Sequence, residues 1–169
     1  EGKGSLDDTL ASWLPPGTAV PQFEGKPILL RHVVSHTSGL PALPSRLGAT
    51  DMNDPYANLD AGALLASLGD VTLQAAPGTA FEYSNFASML LSYAVARRAG
   101  GDLEALVKAR LFAPLEMDGA YIDARPAGVR AAAGHTPAAR VTAPWRFATD
   151  LAGVGGVHAT LDDMVRYVQ

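Results

Sequence analysis

The chain has no cysteine among its 169 residues. Disulfide staples, thiol nucleophiles and cysteine-ligated metals are thereby excluded, although the absence sets no compartment. Positive charge is also scarce: lysine and arginine total 13 against 17 acidic residues, a net charge of -4. That balance leaves no basic footprint for a phosphate backbone, and no nucleic-acid partner is expected. Long apolar runs are missing too. The stretches from Met89 to Ala96 and from Ile28 to Val34 are too short to cross a bilayer core of about 30 Å, so no membrane span is expected. The opening residues, Glu1-Gly2-Lys3-Gly4-Ser5, lack the apolar stretch of a signal peptide and read as an interior point of a longer chain. Internal repeats and low-complexity tracts are absent as well.

What is present suffices for a core. With 48% hydrophobic residues, residues 1–169 read as a single domain able to bury roughly 70% of the surface of its unfolded chain. Helical periodicity alternates with loops rich in proline and glycine, which predicts a mainly α domain with short strands and long loops. Leu6 to Leu14 reads as a helix capped by Ser5 and stopped by Pro15-Pro16-Gly17, and Ile28 to Ser35 as a short buried helix. Prolines 41, 44 and 55 make residues 40–59 a loop. Asp60 caps a helix through Leu68, ended by Gly69. The strongest helix starts at Tyr83 or Ser84, because Phe86, Met89, Leu90, Tyr93, Ala94 and Arg97 recur at helical spacing before Gly100-Gly101. Asp102 caps the next helix, whose face is Leu103, Leu106, Val107 and Leu111 before Pro114. Residues 120–152 read as extended pieces or short strands. Thr160 and Asp163 form the pattern of a capping box for a helix from Leu161 through Val168.

Several polar motifs invite chemical readings. His32 and His36 stand four apart, like two zinc ligands on a helix, but Val33 replaces the glutamate of His-Glu-x-x-His and no third ligand is evident, so both read as structural. Ser38 lies in His36-Thr37-Ser38-Gly39-Leu40, which does not meet Gly-x-Ser-x-Gly and reads as a turn. Gly153, Gly155 and Gly156 match neither a phosphate loop nor a dinucleotide fingerprint and read as a close backbone approach to a cleft. Ser84, at the start of the best helix, reads as its cap rather than as a nucleophile.

Four blocks in order resemble the β-lactamase and penicillin-binding-protein family, in particular class C β-lactamases, D-Ala-D-Ala carboxypeptidases and related esterases. They are Gly4-Ser5-Leu6-Asp7-Asp8 with Leu14-Pro15, and Leu30-Arg31-His32-Val33-Val34-Ser35-His36-Thr37-Ser38-Gly39-Leu40-Pro41. Next come Pro77-Gly78-Thr79 with Tyr83-Ser84-Asn85 and Leu111-Phe112-Ala113-Pro114-Leu115-Glu116-Met117, and lastly Ala152-Gly153-Val154-Gly155-Gly156-Val157 with Thr160, Asp162, Asp163 and Met164. The resemblance implies the helical domain of that α+β fold without most of its sheet.

It also implies a mechanism in which a serine of Ser-x-x-Lys attacks an acyl group. Tyr83 would be the general base or proton relay, and Asn85 would hold the substrate carbonyl or the lysine. Gly155 falls where class C β-lactamases carry a substrate-stacking tyrosine, which favours an esterase or peptidase. No metal or cofactor is implied. The chain departs from the family in a decisive way: its lysines are Lys3, Lys26 and Lys108, none of them three residues after a serine, and no Lys-Thr-Gly, Lys-Ser-Gly or His-x-Gly follows residue 117. The expectation is therefore a segment that is inactive alone. Its substrate, an ester, amide or β-lactam, would be turned over only when the missing parts are supplied, and an uncovered apolar face should drive self-association or recruit a companion chain. The competing reading is a non-catalytic helical binding or interaction module derived from the same family.

Overall fold

The computed structural model describes residues 2–169. Six α-helices carry it: α1 (Leu10–Trp13), α2 (Leu30–Val34), α3 (Ala61–Leu68), α4 (Asn85–Ala99), α5 (Leu103–Val107) and α6 (Leu161–Val168). Two antiparallel hairpins are the strand content among the described residues. β1 (Gln22–Phe23) pairs with β2 (Lys26–Pro27), and β3 (Gly134–His135) with β4 (Val141–Thr142), in register Gly134 to Thr142 and His135 to Val141. The mainly α reading holds.

Helix α4 is the axis of the fold, and its sequence explains why. The Ser84 hydroxyl accepts the Ala87 N–H at 2.9 Å, satisfying a donor the first turn cannot pair, and Gly100 closes the other end in the left-handed region at φ 108°. Phe86, Ala87, Met89, Leu90 and Ala94 have no exposed surface and pack against α1, α2 and α3. Leu10, Ile28, Val33, Leu40, Leu64 and Leu68 belong to the same core. Each fully buried side chain of this size contributes about 1.5–3 kcal/mol of transfer free energy.

Two more helices follow their local signals closely. Asp60 Oδ1 accepts the Ala63 N–H at 2.7 Å to open α3. In α6 the Asp163 carboxylate accepts the Thr160 N–H at 2.8 Å while the Thr160 hydroxyl accepts the Asp163 N–H at 3.1 Å, the reciprocal capping box. Asp163 also accepts the Gly119 N–H at 3.3 Å, so the cap fastens a second segment.

Three expectations change. The first helix does not begin at Leu6. Leu10 N–H donates to Ile28 O, Leu30 N–H to Asp8 O and Arg31 N–H to Leu6 O at 2.8–2.9 Å, so residues 6–10 bond across the chain instead of along a helix. Ser5 loses its role as cap to Thr9, and the second helix shortens to α2 for the same reason. The helix after Asp102 is α-helical only through Val107 and continues as a π-helical turn, Lys108–Phe112. Leu103 and Phe112 fall in separate apolar clusters, the first with Ala96 and Ile122, the second with Met117 and Ala120. Residues 120–152 supply β3 and β4 as expected, but Thr149–Val154 forms a 3-10 turn against α4.

Candidate active site

Tyr83, Ser84 and Asn85 are delivered by the turn that enters α4, and that turn hangs on residues 36 and 37. Gly78 N–H donates to Thr37 O and Glu82 N–H to His36 O, both at 2.7 Å. Gly78 sits at φ 93°, which favours glycine, and a Cβ there would stand 3.1 Å from His32 Nε2, crowding the imidazole. His32 in turn accepts the Leu29 N–H on Nδ1 at 3.1 Å. Burial, with Arg31 adding to it, pushes the His32 pKa below the ordinary imidazole value, in keeping with an unprotonated acceptor nitrogen.

The three motif residues have opposite surroundings. Ser84 is fully buried, and its hydroxyl donates to Pro41 O at 2.7 Å while it accepts from Ala87. Both functions of that hydroxyl are committed, which makes it a cap with no path to a substrate. Tyr83, one residue earlier, is 59% exposed, and its ring lies on His36 with centroids 4.5 Å apart and planes tilted by 31°. Asn85 is half-buried and donates through Nδ2 to the Tyr56 hydroxyl at 3.1 Å. Its amide plane is thereby fixed, with the carbonyl oxygen on the other edge.

Tyr56 was not singled out by the sequence, yet it ties the proline-rich loop to the site. Its ring stacks on Phe147 at 5.1 Å and meets Trp145 edge-on at 5.5 Å. Arg146, between those two aromatics, donates from its backbone N–H and from Nε to the Asp54 carboxylate at 2.8 and 2.6 Å. The backbone donor and then the guanidinium hold Asp54 below the usual carboxylate pKa. Only the loop character of residues 40–59 was legible beforehand; the partners are some 90 positions away.

Gly155 lies at the end of the 3-10 turn with φ 143°, open space on its Cβ side, and its N–H bonded to Ala152 O at 3.1 Å. No hydrogen bond joins it to Tyr83 or Asn85 among the described residues. Of the neighbouring glycines, Gly156 is crowded by Ala152 of the 3-10 turn, whereas Gly153 lies against α4 and also lines a groove. A Cβ on Gly153 would stand 2.7 Å from the Ser92 Cβ, and Ser92 itself, buried on α4, donates to Asp150 O at 2.6 Å and accepts the Gly153 N–H at 3.0 Å. Between the two halves runs a groove of about 320 Å³, walled by Val33, Val34 and His36 on one side and by Gly153 and Val157 on the other. Ser38 keeps its turn role: it is buried and its hydroxyl accepts the Leu40 N–H at 3.3 Å.

Comparison with solved structures gives the class of fold. A β-lactamase/D-alanine carboxypeptidase from Yersinia pestis matches 99% of this chain and 46% of its own with a TM-score of 0.76 and 27% identity. EstCE1, a hydrolase with promiscuous acyltransferase activity, matches 99% and 52% with a TM-score of 0.74 and 26% identity. The fold is thus the helical part of the β-lactamase and DD-peptidase architecture. The family profile for Beta-lactamase matches residues 1–169, and the D-alanyl-D-alanine-carboxypeptidase/endopeptidase AmpH of Escherichia coli K12 is 31% identical over all of this chain. The chain belongs to the β-lactamase family, serine hydrolases of the β-lactamase and DD-peptidase type, and spans 43% of the length of AmpH.

Proposed function

We propose that this chain contributes the tyrosine side of a serine-hydrolase site acting by acyl transfer on esters, amides or β-lactams. Tyr83 serves as general base or proton relay, Asn85 orients the acyl carbonyl, and Gly155 borders the substrate. The observation that carries this reading is the contrast at the start of α4. Ser84 is sealed as a cap, while Tyr83 and Asn85 on either side keep a phenol and an amide available for chemistry. A phenol needs a nearby cation to ionise near neutrality and a nucleophile to deprotonate, and the chain contains no Ser-x-x-Lys to supply either. Alone, the chain is inactive; joined to a polypeptide that carries the serine and lysine, it completes the site.

A companion chain, or a second copy, also answers the apolar surface left on α6, where Leu161 is 80% and Val168 75% exposed. The test has two arms. With the chain alone, nitrocefin and p-nitrophenyl esters give no burst and a fluorescent penicillin leaves no adduct; labelling would overturn the inactivity. Light scattering and a hydrophobic dye then report association; a clean monomer that binds no dye overturns the companion reading. In a completed enzyme, Tyr83→Phe lowers kcat by roughly 100-fold or more, the scale of a lost proton-transfer group. Unchanged kcat there, with association intact, favours the non-catalytic interaction module.

A further inference from the structure

His36 carries more of the site than a loop histidine needs to. Its backbone is left-handed at φ 54°, a conformation that costs roughly 1 kcal/mol or more for a residue with a Cβ and is kept only where surrounding contacts demand it. Three contacts do so here. The His36 carbonyl accepts the Glu82 N–H at 2.7 Å, its Nδ1 accepts the Ser84 N–H at 3.1 Å, and its ring lies 4.5 Å from that of Tyr83. Phe81 closes on the same imidazole edge-on at 6.0 Å.

The Ser84 contact is informative because of where it falls. An N-cap residue's own N–H points out of the helix and must find an acceptor elsewhere. A ring nitrogen accepts only when it carries no proton, so this bond selects the neutral imidazole with its proton on Nε2. The same ring that fixes the backbone after Tyr83 therefore also presents its face to the Tyr83 phenol.

We propose that His36 is the positioning residue for Tyr83, acting as the neutral Nε2–H tautomer through two separable contacts: the Nδ1 acceptor sets the backbone at Ser84, and the ring face sets the direction of the phenol. The functional meaning rests on the reading of Tyr83 as the catalytic phenol, but the device is measurable without turnover.

The experiment uses the 169-residue chain, labelled with nitrogen-15 and with carbon-13 in its tyrosine rings. Long-range proton–nitrogen spectra are expected to show His36 protonated on Nε2 and bare on Nδ1. His36→Asn keeps an acceptor and tolerates the left-handed backbone but has no aromatic ring, whereas His36→Phe keeps a ring and loses the acceptor. The Ser84 amide should exchange about fivefold to tenfold faster in H36F, the loss of one hydrogen bond, and stay within about twofold of the parent in H36N. The Tyr83 ring signals should behave in the opposite way, moving toward those of free tyrosine in H36N and holding in H36F. A proton found on Nδ1, or identical Ser84 and Tyr83 responses in the two variants, overturns the proposal. If H36F does not fold, the tautomer and the H36N spectra decide it. Tyr83→Phe with full activity in a completed enzyme would instead sink the catalytic reading and leave these spectra unchanged.

Discussion

Residues 10–94 and residues 95–169 are held together by different physics. The first region closes one apolar core around α4, from Leu10 to Ala94, to which the later region lends only Leu151 as a fully integrated member. The second has two small clusters, Ala96 with Leu103, Ile122 and Ala152, and Phe112 with Met117 and Ala120. It relies on polar fasteners instead. Glu104 on α5 accepts the N–H groups of Ile122, Asp123 and Ala124 at 2.8–3.2 Å, Arg146 reaches back to Asp54, and Asp163 clasps Gly119. The difference teaches that Tyr83 and Asn85 stand on the half with the larger apolar core, at the start of its main helix, while Gly155 and the groove's far wall belong to the half with the smaller clusters, joined to that core through Leu151.

The sharpest way to break this comparison is in the core. Leu90→Ala, at a position with no exposed surface, is expected to lose about 2–5 kcal/mol in urea denaturation. Met117→Ala, also buried at 4% exposure but set in a cluster of three buried residues, should lose less. Equal losses would show that the two halves share one core after all.

Smaller in size is the effect on the fasteners. Glu104→Gln replaces a charged acceptor of three N–H groups with a neutral one and is expected to cost about 1–2 kcal/mol. The comparison requires the loss to be local, with amide exchange rising at residues 122–124 and not in α4. Uniform acceleration across α4 would count against it.

The smallest expected effect is electrostatic. The Asp70 carboxylate accepts from Arg46 Nε and Nη2 at 2.9 and 3.0 Å and from the Ser45 hydroxyl at 2.7 Å, and these bonds, Arg46 first, pull its pKa from 3.8 to about 2. A depressed folded-state pKa contributes stability that is present above the unfolded value of 3.8 and is lost as pH falls toward about 2. Asp70→Asn should flatten the stability profile in that acid window by removing the contribution present above it, so that the variant falls below the parent at neutral pH and converges with it as pH approaches about 2; the gap is small, since the pair is exposed to solvent. An unchanged acid slope would remove Asp70 from the account.

What could be read in advance was whatever is encoded locally. The caps Asp60, Ser84 and Thr160 with Asp163, and the stops Gly69 and Gly100, lie within a few residues of the bonds they make, and α3, α4 and α6 appear where those residues put them. The first helix was misread because residues 6–10 bond to residues 28–31, and no periodicity within Leu6–Leu14 reports a partner twenty positions away. The π-helical turn at Lys108–Phe112 leaves the apolar spacing almost unaltered, so a helix was legible and its widening was not. At the site, the Tyr83-Ser84-Asn85 motif and the His36 loop signature were both visible, but the bond between them spans 48 positions. Tyr56 and Ser92 had no motif to mark them; a polar residue on the buried face of α4 was the available signal for Ser92.

The clasp between Ser92 and the 3-10 turn has a kinetic consequence. Ser92 holds Asp150 and Gly153 across sequence separations of 58 and 61 residues, so the chain must close a long loop before this part of α4 acquires its cover. Long-range closure of this kind slows folding far more than it affects final stability. A hydroxyl buried in the middle of α4 thus ties the cover of the groove beside His36 to a long-range closure, which is expected to follow formation of the helix itself.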